Sequence, residues 1–160
     1  MSVKPVTDAM WPAILTLQEE AYAEVAPESL EVLQSKWQRS PDSCFVYQDG
    51  EQLAGYLLAH SWSGESPPSL FKPLPQKAGS DYLFLHDLVI SQRAAGNGVG
   101  SVMTDHLIKT ASMLGYGKIR LVSVQDSSIF WKKMGFIPMD TTVCASYGAG
   151  AQFMQRDILV

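Results

Sequence analysis

Residues 85 to 103, Leu-His-Asp-Leu-Val-Ile-Ser-Gln-Arg-Ala-Ala-Gly-Asn-Gly-Val-Gly-Ser-Val-Met, carry the two features of this chain best suited to chemistry. The first is the alternation of Gly96, Gly98 and Gly100 between an apolar strand and an amphipathic helix. Alternating glycines strip side chains from a turn, so several backbone N–H groups can converge on one point. The helix N-terminus adds partial positive charge there, and phosphate is the natural ligand. The second is His86, just upstream in the strand. A histidine ordinarily titrates near neutral pH, which suits it to take a proton from a substrate.

Spacing separates the kinds of phosphate loop. A Walker loop ends in Gly-Lys-Ser/Thr, whereas Gly100 is followed directly by Ser101 and Val102. A dinucleotide fingerprint counted from Gly96 needs its third glycine where Ser101 stands, and an acidic residue about 20 positions on. Neither fits well, although a Rossmann-type nucleotide-binding module stays as a rival.

The segment instead resembles the phosphate loop of the GNAT superfamily of acyl-CoA-dependent N-acetyltransferases, Q/R-x-x-G-x-G/A. One register starts at Arg93 and keeps the basic first residue. The preferred register starts at Ala95 and reads Ala-Gly-Asn-Gly-Val-Gly, which lets Ile90 end the strand. Ala95 then stands where Arg or Gln is usual, a tolerable departure because backbone N–H groups do most of the holding. A second block, Phe130-Trp131-Lys132-Lys133-Met134-Gly135-Phe136, resembles the family's F-Y-x-x-x-G-F signature with Trp in place of Tyr. The two blocks occur in the family's order.

The elements that must position these residues follow from patterning. At 160 residues the chain is long enough for one domain that buries roughly 70% of its unfolded surface. Hydrophobic content of 46%, charged content of 18% and a formal charge of −4 describe a soluble globular protein and argue against a nucleic-acid surface. No apolar run reaches the roughly 18 residues of a membrane helix, and no signal-peptide pattern opens the chain, so the cytoplasm is the expected compartment. Cys44 and Cys144 form no disulfide framework, and no His/Cys cluster has metal-ligand spacing.

Val3 to Val6 reads as an edge strand. Thr7 or Asp8 can cap a helix through Tyr22 with Ile14, Leu15 and Leu17 inward, and Pro27-Glu28 opens a second with Leu30, Leu33 and Trp37 recurring. Ser43–Gln48 and Gln52–His60 flank an Asp49-Gly50 hairpin turn. Residues 61 to 79, with prolines at 67, 68, 73 and 75, form a long loop of the kind that often binds ligands. Asp81–Ile90 is the central strand, and Val99–Leu114 a helix with Val99, Val102, Met103 and Leu107 inward. Lys118–Val124 is a strand and Ser127–Met134 a short helix. A final hairpin turns at Tyr147-Gly148-Ala149-Gly150. The fold class is α/β: a single domain with a GNAT-like mixed, mostly antiparallel sheet flanked by helices, in the order β-α-α-β-β-β-α-β-α-β-β.

The resemblance implies an acetyl-CoA-dependent N-acetyltransferase acting by direct attack of an amine in a ternary complex. It implies that Leu88, Val89 and Ile90 bond the pantetheine through their backbones. Ala95, Gly96, Asn97, Gly98, Val99, Gly100 and Ser101 would hold the pyrophosphate, and Ser127 would touch the CoA arm. Val124 stands where the family has Asn, and Gln125 could substitute. The run Leu-His-Asp-Leu is similar to the matching strand of arylalkylamine acetyltransferases and makes His86 the expected base, with Asp87 as the alternative. Strict alternation places Tyr82, Phe84, His86 and Leu88 on one face and Asp87 on the other. Trp131 stands where the family often uses a phenol as general acid, a role an indole cannot fill. Trp62, Phe71 and Tyr82 are candidate walls of the acceptor site. His60 and His106 are expected to be structural, and no cysteine has a partner for nucleophilic catalysis. The expected acceptor is a small primary amine, with a protein acceptor and a homodimer also compatible. A non-catalytic acyl-CoA-binding or regulatory domain is the alternative function.

Overall fold

The computed structural model describes residues 2–22, 27–64, 67–68, 70–74, 81–124, 127–141, 143, 147 and 150–158. Cys144, Gln125 and Gly148-Ala149 lie outside them.

Seven strands form one sheet in the order β1-β2-β3-β4-β5-β7-β6. They are β1 (Ser2–Pro5), β2 (Cys44–Asp49), β3 (Gln52–Trp62), β4 (Tyr82–Ile90), β5 (Lys118–Ser123), β6 (Ile137–Pro138) and β7 (Gln152–Asp157). All neighbours are antiparallel except β4 and β5. Helices α1 (Trp11–Ala21), α2 (Leu30–Arg39), α3 (Val99–Met113) and α4 (Ser128–Lys133) intervene in the expected order. Among the described residues no helix is long and apolar enough to cross a membrane.

Strand alternation divides the core between the two sheet faces. Phe45, Leu57, Leu83 and Leu121 pack beneath Met103 and Leu107 of α3 and Trp131 of α4. Val46, Tyr56, Leu58 and Val89 pack beneath Trp11, Ile14 and Leu17 of α1 and Leu33 of α2.

Several expectations need correction. Thr7 caps no helix with its side chain; a 3-10 turn over Asp8–Met10 leads into α1, and Pro12 sits in the first turn of the helix itself. Helix α2 begins at Leu30, because Ser29 is extended and its side chain accepts the N–H of Val32; Glu28 is therefore free to turn inward. Val102 is 48% exposed: the buried stripe of α3 runs through Val99, Met103, Leu107 and Ala111, one residue every fourth position. The terminal hairpin pairs through only two residues of β6.

The alternation expected for β4 also fails, at one residue. Leu58 of β3 pairs with Asp87 and Ala59 with Leu85, so His86 is an extra residue with no partner of its own. This β-bulge resets the period of two. Leu83, Leu85, Leu88 and Ile90 all meet the α3-side core, whereas Phe84, Asp87 and Val89 do not.

Candidate active-site cleft

β4 and β5 pair only through Leu83–Leu85 and Ile119–Leu121. Beyond that point the two strands part, and the edge of β4 from His86 to Ile90 turns toward a cleft of about 310 Å³. One wall carries Leu85, Leu88, Val89 and Ile90; the other carries Leu121, Val122, Val124, Ser127, Phe130 and Trp131. Tyr22, His86 and Asp87 complete it, and Gly100 of α3 lines it from the loop side.

The loop into α3 takes the shape its glycines permit. Gly96 (φ 82°) and Gly98 (φ 77°) are left-handed, and Gly98 is the N-cap of α3. A glycine has no side chain to cap with, so the first N–H groups of a 15-residue helix point out unsatisfied. Gly100 is small for a different reason: a Cβ there would lie 3.3 Å from Cζ of Phe130. Arg93, first residue of the alternative register, donates to the carbonyl of Leu53 at 2.7 Å, away from the glycines. Ala95, Asn97 and the glycines beside them are exposed, Val99 is buried and Ser101 is half-buried.

At the other end of the cleft, His86 Nε2 lies 2.5 Å from Oε1 of Glu28, and both side chains are buried. His86 Nδ1 is buried with no hydrogen-bond partner. Glu28 Oε2 accepts the N–H of Phe71 at 2.9 Å. Burial alone would raise the pKa of Glu28, but the charge and hydrogen bond of His86, the Phe71 N–H and Lys36 hold it down at about 2. Asp87 accepts Tyr22 Oη at 2.5 Å and Tyr56 Oη at 2.6 Å. Burial raises its pKa, against the opposing pull of His86 and the two hydroxyls.

Of the residues singled out in the sequence, the fold brings His86, Leu88, Val89, Ile90, Gly100 and Ser127 to this cleft. Trp62, Phe71 and Tyr82 are not among its lining residues. Tyr82 is buried with Phe84 and Phe153, its hydroxyl donating to the Gly64 carbonyl and its ring lying under Arg120. Trp62 borders that same cluster. Phe71 exposes its ring and takes φ 65°, a left-handed backbone rare for so bulky a residue. His60 is fully buried in a strand, where burial pushes its pKa well below the usual value, and His106 packs edge-on against Phe45. Burial pushes the Cys44 thiol up to about 12 despite the bond to the Ala59 carbonyl, which removes it as a nucleophile. No cluster suited to a metal ion occurs among the described residues.

Glu28, Tyr22 and Tyr56 escaped sequence reasoning as site residues. Glu28 lay within an apparent helix start, and the tyrosines lay in unremarkable core patterns.

Comparisons with known proteins bear on the fold. The fold matches that of Ard1 from Thermoplasma volcanium at 16% identity and TM-score 0.77, covering 99% of this chain and 98% of the other. The ribosomal-protein-S18-alanine N-acetyltransferase from Escherichia coli matches at 15% identity and TM-score 0.75, over 99% and 94%. A GNAT-like decarboxylase, GphF, in complex with isobutyryl-CoA, matches at 13% identity and TM-score 0.79, over 98% and 99%. No curated protein matches the chain in sequence. The family model described as Acetyltransferase (GNAT) family matches residues 11–136, most of the chain, from the start of α1 to Phe136 just beyond α4. The protein is a member of the GNAT acetyltransferase family.

Proposed function

We propose that this protein is an N-acetyltransferase that passes an acetyl group from acetyl-CoA to a primary amine by direct attack in a ternary complex. The observation that carries the reading is that one stretch of chain, from His86 to Ser101, brings an imidazole to the cleft and leads into a helix N-terminus with no side-chain cap.

The cleft fits the cofactor of the family. The free N–H groups at the start of α3 suit the pyrophosphate, with Ala95, Gly96, Asn97, Gly98, Val99, Gly100 and Ser101 forming the loop. The edge of β4 at Leu88, Val89 and Ile90, which β5 leaves unpaired, suits the amides of pantetheine. Ser127, whose hydroxyl already donates to the Val124 carbonyl, stands on the opposite wall. Isobutyryl-CoA is bound by GphF in the same fold. When bound, acetyl-CoA supplies an activated acyl carbon.

The chain's own part is to hold the two reactants together and to accept a proton. His86 is the proposed base, its unpartnered Nδ1 taking a proton from the ammonium of the acceptor. Tyr22 and Asp87 bound the cleft beside it, where an amine would approach. Trp131 offers only an apolar wall and cannot protonate the thiolate; thiolate is a good enough leaving group for water to do so. A small amine is the preferred acceptor and a protein amine the second. A homodimer is compatible with this reading. The cytoplasm is the compartment proposed for it.

The test is acetyl-CoA-dependent thiol release over a panel of small amines and peptides, with His86→Ala alongside. Turnover lost in the variant supports both enzyme and base. Turnover that survives keeps the enzyme and removes His86. Binding of acetyl-CoA without turnover on any acceptor would favour the non-catalytic acyl-CoA-binding domain.

A further inference from the structure

We infer that Glu28 is a positioning residue, which fixes the proton of neutral His86 on Nε2 and so leaves Nδ1 as the atom that receives the substrate proton. The inference rests on the proposed role of His86 as base.

Glu28 is held from three sides. Its main chain is clamped by the buried side chain of Gln18 in α1: the Glu28 N–H donates to Gln18 Oε1 at 3.0 Å, and Gln18 Nε2 donates to the Glu28 carbonyl at 3.1 Å. Its Oε2 accepts the Phe71 N–H, and its Oε1 faces His86 Nε2. The strap that supplies Phe71 is itself tied to α2. Lys36 Nζ donates to the Lys72 carbonyl at 3.4 Å, and the Leu74 N–H donates to Ser35 Oγ at 3.1 Å. The carboxylate therefore has little freedom to turn away from the imidazole.

An ionised carboxylate has no proton and can only accept. With Phe71 N–H on one oxygen, the other must take a proton from His86 Nε2. A neutral imidazole carries a single N–H, so the lone pair then sits on Nδ1. Nδ1 is the buried ring atom without a partner, and the residue that bears it lines the cleft. The bulge at His86 makes the pairing possible, because it takes the residue out of register with β3.

Glu28→Gln tests this, because an amide accepts at only one of its two ends. If its oxygen stays on Phe71 N–H, its NH₂ faces His86 and demands the opposite tautomer. If its oxygen stays on His86, the strap loses its acceptor. We expect kcat to fall by about 10- to 100-fold, less than the roughly 100- to 10,000-fold a general base contributes, because the base itself remains. KM for acetyl-CoA should change by less than about threefold, since Glu28 lies off the cofactor walls. Long-range ¹H–¹⁵N spectra should show His86 protonated on Nε2 in the wild type and at least partly on Nδ1 in the variant.

Wild-type spectra with the proton on Nδ1 would overturn the inference, even if the variant fails to fold. So would a folded Glu28→Gln protein with wild-type kcat. If the wild type transfers acetyl to no amine, the reading of the reaction falls instead. A wild type active with His86 dispensable removes the base, and the positioning role with it.

Discussion

The hydroxyls of Tyr22 and Tyr56 meet on one carboxylate, Asp87: Tyr22 at the end of α1 takes one oxygen at 2.5 Å, and Tyr56 on β3 takes the other at 2.6 Å. Asp87 thus joins the last turn of α1 to the middle of the sheet, directly beside the bulged His86. Because Asp87 follows the bulge, it faces α1 along with Val89 rather than the α3-side core.

Removing that acceptor should be costly. Asp87→Ala leaves two buried or half-buried hydroxyls without a partner, at about 1–3 kcal/mol each. Asp87→Asn can still accept from one hydroxyl and donate to the other, so it should lose only about 1 kcal/mol. Urea unfolding of both variants checks the ordering. Equal losses would show that the hydroxyl pair does not stabilise this junction.

Glu28 makes stability depend on acid in a defined direction. Its folded pKa of about 2 lies below its ordinary 4.5, so the unfolded chain binds the proton first as pH falls. The stabilisation is fully present above about 4.5 and is lost as pH falls toward about 2, on the order of 3 kcal/mol in all. Glu28→Gln cannot titrate there. The stability gap between wild type and variant, read by chemical unfolding at fixed pH, should therefore narrow between pH values of roughly 5 and 2. Asp87 has the opposite sign, since its raised pKa removes stability as pH rises, but burial, the chief cause of that shift, is common to both proteins. A gap that stays constant across the window would remove Glu28 as the titrating group.

Two glycines should fail for different reasons. A Cβ at Gly55 would stand 2.8 Å from the Val89 carbonyl oxygen, so Gly55→Ala must push β3 from β4. We expect a loss of about 1–3 kcal/mol, as for other overpacked sites, and weaker acetyl-CoA binding because Val89 forms a cleft wall. Gly98 has empty space around the same atom but a left-handed backbone, so Gly98→Ala should lose roughly 1–2 kcal/mol through φ alone. Melting temperatures of each variant, with and without acetyl-CoA, check both losses.

Trp131 packs against Phe130 and Phe136 with ring centroids at 4.8 and 5.5 Å. Its indole N–H does not give up a proton, so Trp131→Phe should keep kcat within a few-fold. The smaller ring should still cost about 1–2 kcal/mol of stability. A large fall in kcat without loss of stability would give the indole N–H a part in the reaction.

The sequence alone determined what depends on near neighbours. Apolar periodicity ordered the strands and helices, because period two and period 3.6 are local signals. The alternating glycines marked the turn into α3, because a left-handed φ is a property of the residue itself. The elements around His86 were a different matter. Period-two reasoning put His86 and Asp87 on opposite faces, since nothing within β4 announces that β3 will skip a residue opposite it. Glu28 reads as a helix start, yet it lies outside any helix, held by Gln18 and Phe71, and reaches an imidazole 58 residues away. Those bonds exist only when α1, the strap and β4 have assembled, and each group is satisfied by a partner that sequence spacing does not reveal. Local backbone preference wrote the glycine turn into α3; tertiary register and long-range hydrogen bonding decided the surroundings of His86.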